Sequence, residues 1–179
     1  MNDIKKLEQE IIDLKEQIKN KETEIPEKDG KYWSDILQIN PERSNELSKN
    51  DWDKLNGWDW RLLLIRQPQL IEYCNLDKLI GSDWEHILRA QPQLAKYCKW
   101  DKLNGSNWWW ILRRQPQLIE YYDCDKLDEN KCMNKDNWYN LLKEQPQLKE
   151  YQPKEYQTKD MQIKMLKYEI EILKKQLNK

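Results

Sequence analysis

A 179-residue chain with 31 Lys and Arg against 32 Asp and Glu has a net charge of only −1, which excludes a polyanion binder driven by bulk charge and an acidic solvating tail. Ten tryptophans and four glycines, with no phenylalanine, stand in a Lys-, Glu-, Leu- and Gln-rich background that favours helices. No apolar run approaches the roughly 20 residues that span a bilayer, and the amino end lacks a signal-peptide core; a cytoplasmic protein that avoids membranes is expected.

In chain order, Ile4, Leu7, Ile11, Leu14, Ile18 and Ile25 keep heptad a/d spacing, broken at Lys21, and predict a coiled-coil helix over 1–25. Pro26 and Gly30 mark a joint, and a repeat domain is predicted over 31–152. It opens with a degenerate capping unit (31–50), in which Trp33 leads to Pro41. DWDKLNGWDWRLLLIRQPQLIEYC (51–74), NLDKLIGSDWEHILRAQPQLAKYC (75–98) and KWDKLNGSNWWWILRRQPQLIEYY (99–122) then align without a gap, so Trp60, Trp84 and Trp108 recur every 24 residues. A last unit (123–152) has six extra residues, DENKCM (128–133), before the same NWYNLLKEQPQL.

Each unit reads as two short helices. Ser82 or Asp83 caps the first, and Trp84, Ile87 and Leu88 share its inner face. Pro92 ends it and opens the second, which buries Leu94, Tyr97 and Cys98. Asp101 caps a DKLNG turn whose Asn-Gly supplies a left-handed exit. Helices this short are unstable alone, so the units must stack: the expected fold is an all-α, short-helix tandem-repeat solenoid, with the shared tryptophans stacking on one another. A leucine-rich repeat permits this period but would need an L-x-L strand that the sequence lacks.

After Pro153, the heptad residues Ile163, Leu166, Ile170, Leu173 and Leu177 predict a second coiled-coil helix over 158–179. Ile at a with Leu at d favours two-stranded pairing. Glu8, Glu10, Glu22 and Glu24 flank the first stripe and Lys167 and Lys174 the second, which favours N-helix against C-helix, within a chain or between copies of a homo-oligomer. The alternative is that both helices only cap the ends of the stack.

The copies agree at the shared tryptophan and three, four, seven and eight residues after it. They differ one, two, five and six residues after it, on the opposite face of the helix. The variable columns hold Arg61, Leu62, Ile65 and Arg66, then Glu85, His86 and Arg89, then Trp109, Trp110, Arg113 and Arg114, and last Tyr139, Asn140 and Lys143. This pattern places Trp108 in the scaffold and predicts that Trp109 and Trp110 are largely exposed. Trp, Tyr and Arg dominate protein interfaces, so the expected function is non-enzymatic binding of another protein, as an adaptor, scaffold or inhibitor. Base stacking with phosphate contacts is the alternative, weakened by Glu85 and Glu144 on the same stripe; a purely structural assembly subunit is a third reading. No phosphate-binding glycine loop or nucleophile–base constellation is present, and no cofactor is expected. The lone His86 and the cysteines at 74, 98, 124 and 132 lack metal-ligand spacing, so no metal is expected either.

Overall fold

The computed structural model describes Gln9 and residues 11–15, 28–124 and 131–177. Ile4, Leu7, Ile18 and Ile25 of the first predicted stripe, and residues 128–130 of the insertion, lie outside them. All regular structure among the described residues is helical, without strands. The α-helices after the first joint are α1 (Gly30–Ile39), α2 (Lys49–Lys54), α3 (Gly57–Arg66), α4 (Gly81–Ala90), α5 (Gly105–Arg114), α6 (Lys135–Glu144) and α7 (Lys159–Leu177). No helix among the described residues is long and apolar enough to cross a membrane.

Five of these, α1 and α3 to α6, carry the shared tryptophan, and each packs on the next. The element that follows each of them is a six-residue 3-10 turn with proline in its first turn, such as Pro92–Tyr97, rather than a second α-helix. Proline fits there because its missing N–H has no partner to lose. Leu94 is buried in that turn, while Tyr97 and Cys98 are half-buried. Trp33, Trp60, Trp84, Trp108 and Trp138 are at most 2% exposed and form the spine of the core.

Two ladders join the units. The amide of Gln91 donates to the Ile65 carbonyl at 2.6 Å; Gln67, Gln115 and Gln145 do the same to Gln38, Arg89 and Arg113. Each bond satisfies a carbonyl that the end of the preceding helix leaves without an intrahelical donor. The second glutamine of the QPQ run fixes the first, as Gln93 donates to Gln91 Oε1 at 2.7 Å. On the other side, Lys78 Nζ donates to the Asp53 and Leu55 carbonyls, and Lys102 Nζ to those of Asp77 and Leu79.

Several expectations are corrected. No described residue has a positive φ, so Asn-Gly is not a left-handed exit. In three units asparagine is the N-cap and, in all but the last of these three, glycine is the first helical residue that must approach its neighbour: a Cβ on Gly57 would lie 2.5 Å from the Lys78 carbonyl oxygen. At α4 the cap position is Ile80, so neither Ser82 nor Asp83 occupies it, and Asp83 reaches back to accept the Ile80 N–H at 3.1 Å. Asp101 lies inside the Trp100–Lys102 turn rather than capping it. Trp108 stacks within its unit, on Trp100 (5.0 Å, 12°), which in turn stacks on Tyr121; Trp52, Trp60 and Tyr73 repeat this arrangement.

The insertion also falls differently. Met133, fully buried, stands five residues before Trp138, as Leu103 does before Trp108, so the extra residues end ahead of it. Cys132 occupies the place of Lys102 and forms a disulfide with Cys124. Cys74 and Cys98 are free thiols. Burial pushes the Cys74 thiol up to about 12 and the Cys98 thiol up as well, as suits apolar filling.

Helix α7 is apolar on two faces. Met161, Met165, Tyr168 and Ile172 turn toward the last unit and line a groove of about 510 Å³ with Leu142 and Pro146. Of the heptad residues, Leu166 reaches the edge of this groove, while Ile163, Ile170, Leu173 and Leu177 lie outside it, with exposures from 49% at Ile163 and Ile170 to 85% at Leu177. The helix therefore caps the last unit with a row other than its heptad stripe.

Candidate partner-binding face

The column immediately after each shared tryptophan does not face solvent. Arg61, its side chain only 12% exposed, lies 3.6 Å from Asp83 of the next unit. One unit on, Glu85 is 7% exposed and accepts a 2.9 Å hydrogen bond from Asn107 Nδ2. Arg61 meets an aspartate and Glu85 an amide, so variation along this column follows variation in the facing unit. Glu85 and Arg61 are inter-unit contacts rather than free contact residues. Trp109, in the same column, packs half-buried on the core with its indole N–H buried and without an acceptor. It belongs with the scaffold.

Trp110 is also half-buried rather than largely exposed. It meets Trp109 edge-on at 4.4 Å, and the guanidinium carbons of Arg89 and Arg113 lie 5.1 and 5.4 Å from its ring centroid. Each arginine is held in turn: Arg89 pairs with Glu85 at 3.1 Å, and Arg113 with Glu144 at 2.5 Å. Cations over an indole face are drawn to its quadrupole, so the ring is clamped in one orientation.

The remaining predicted residues divide by column. Arg66, His86, Arg114 and Asn140 are exposed. Leu62 and Ile65 are half-buried, Ile65 against the core. Arg66 and Arg114 form no salt bridge among the described residues. At the far end Lys143 lies over both Tyr139 and Tyr168 of α7, at 5.3 and 4.4 Å, so this corner is partly occupied by the chain itself.

Trp58 was not among the predicted residues. It is 58% exposed, with the Arg61 guanidinium 3.8 Å above its ring, one helical turn before Leu62. The signal was a tryptophan where the other units carry Ser82, Ser106 and Asp136. The surviving surface is thus a narrow row across α3 to α6, with Trp58, Leu62, His86, Trp110 and Asn140 along it and Arg66 and Arg114 at its edge. No group of His, Cys, Asp and Glu suited to a metal ion is present among the described residues. Comparison of the chain with protein-family models, curated proteins and solved structures finds no match.

Proposed function

We propose that the chain is a non-enzymatic protein-binding α-solenoid, an adaptor, scaffold or inhibitor that masks a target surface, with its terminal helices acting as coiled coils that join copies. The observation that carries the reading is the clamped indole of Trp110. A large amphipathic ring already fixed between two anchored arginines loses little freedom on binding, which is a requirement for an interface hot spot. Trp58, more exposed and held under Arg61, supplies a second ring at the other end of the row. Joining copies would raise the avidity of a modest site.

Nucleic-acid binding is less well supported, because Glu85 and Glu144 neutralise the two arginines that flank the Trp110 ring. Affinity capture with immobilised full-length protein, with preys identified by mass spectrometry, tests the proposal. A discrete protein prey whose recovery falls at least tenfold with Trp110→Ala supports it. Undiminished recovery by the folded variant, or steeply salt-dependent oligonucleotide binding without a protein prey, overturns it.

A further inference from the structure

Among the described residues, the outward stripe of α7 is left about half exposed. Its inward row already seats the helix on the last unit, yet Ile163, Leu166, Ile170 and Leu173 stand 49–58% exposed. Helical residues 11–15 likewise expose Ile11 and Leu14, at 52% and 50%, so these two heptad positions are not buried within the chain.

The two stripes are versions of one sequence. Ile4-Lys5-x-Leu7 and Glu10-Ile11-x-x-Leu14-Lys15-x-Gln17 return as Ile163-Lys164-x-Leu166 and Glu169-Ile170-x-x-Leu173-Lys174-x-Gln176. Laid parallel in that register, they match Ile4 with Ile163, Leu7 with Leu166, Ile11 with Ile170 and Leu14 with Leu173, isoleucine at every a layer and leucine at every d layer. The flanking charges then decide among partners. In parallel pairs a g residue meets the following e residue of the other helix, so Asp3 meets Lys167, Glu10 meets Lys174 and Glu169 meets Lys15, all of opposite sign. Like-with-like pairing does worse. N-helix on N-helix joins Glu10 to Lys15 but sets Asp3 against Glu8, and α7 on α7 joins only Glu169 to Lys174 and leaves the first stripe bare.

We infer that α7 of one copy pairs in parallel with the amino-terminal stripe of a second copy, reciprocally, in a homodimer closed by two such pairs. This rests on the oligomerising role proposed above and specifies its partner, direction and register. Light scattering after size exclusion, on the full-length chain, is the test, with circular dichroism reporting the fold. The wild type is expected as a dimer, and Ile170→Asp with Leu173→Asp as a folded monomer. Lys174→Glu is expected to weaken the dimer by about tenfold, and adding Glu10→Lys to restore it. A monomeric wild type would overturn both the oligomerising role and this pairing. Restoration by Glu169→Lys instead of Glu10→Lys would overturn only the pairing, in favour of α7 on α7.

Discussion

The side-chain amide of Gln91 reaches across a unit boundary to the backbone carbonyl of Ile65, 2.6 Å away. Replacing Gln91 with Leu leaves a part-buried carbonyl without its donor, which costs about 1–3 kcal/mol. Urea unfolding is expected to show that loss for Gln91→Leu. Gln93→Leu, which removes only the bond that steadies Gln91, should lose less.

Glu85 and Asn107 should behave as a unit. Glu85→Arg alone buries a cation against an amide and is expected to destabilise by more than about 1 kcal/mol. Combining it with Asn107→Asp recreates the Arg61–Asp83 pair of the preceding unit and should recover part of the loss, the remainder being the Glu85–Arg89 ion pair that Glu85→Arg also removes. A double-mutant cycle with no coupling would remove the inter-unit role of this column.

The neighbouring tryptophans should separate by phenotype. Trp109→Ala opens a void against the core and is expected to cost about 3 kcal/mol, in the range for large-to-small core changes. Trp110→Ala removes a half-exposed ring and should cost less than half of that. Thermal and urea unfolding of the two variants check the order.

Cys74 supplies a pH prediction. Its folded-state thiol is pushed up to about 12 by burial, above the unfolded value of about 8.5. Stability from this group is therefore complete below the unfolded value and declines as pH rises from there toward the folded one. Alkylation of Cys74 by iodoacetamide at about pH 8.5 should be far slower in the native protein than in urea, where roughly half of an ordinary thiol is ionised at that pH.

The disulfide stands where a lysine clamp stands in the earlier units. Cys124→Ser with Cys132→Ser is expected to lower stability by about 2.5 kcal/mol, the value for closing a loop of this length. Matching loss on reduction of the native chain would assign the effect to the bond itself.

Much of this architecture was legible in the sequence. The 24-residue recurrence of Trp60, Trp84 and Trp108 locates the buried spine, and the QPQ runs locate the breaks. What escaped had a common cause: contacts between units were invisible. A column that differs from copy to copy reads as free surface, and Arg61 and Glu85 differ because Asp83 and Asn107 opposite them differ too. The same blindness placed Trp109 outside the scaffold. In α7 the strong Ile/Leu heptad masked the weaker row of Met161, Met165 and Tyr168, which is the one that packs. Trp58 precedes the shared tryptophan by two residues, in the first turn of α3, so the variable columns that follow that tryptophan do not include it.

The most direct measurement is photo-crosslinking with a reactive residue placed in turn at His86 and Arg114 on the variable row and at Glu72 and Glu120 in the 3-10 turns, all four exposed. With the captured partner present, adducts are expected from His86 and Arg114 and none from Glu72 and Glu120. The reverse pattern would contradict the assignment of the recognition surface to the row around Trp110.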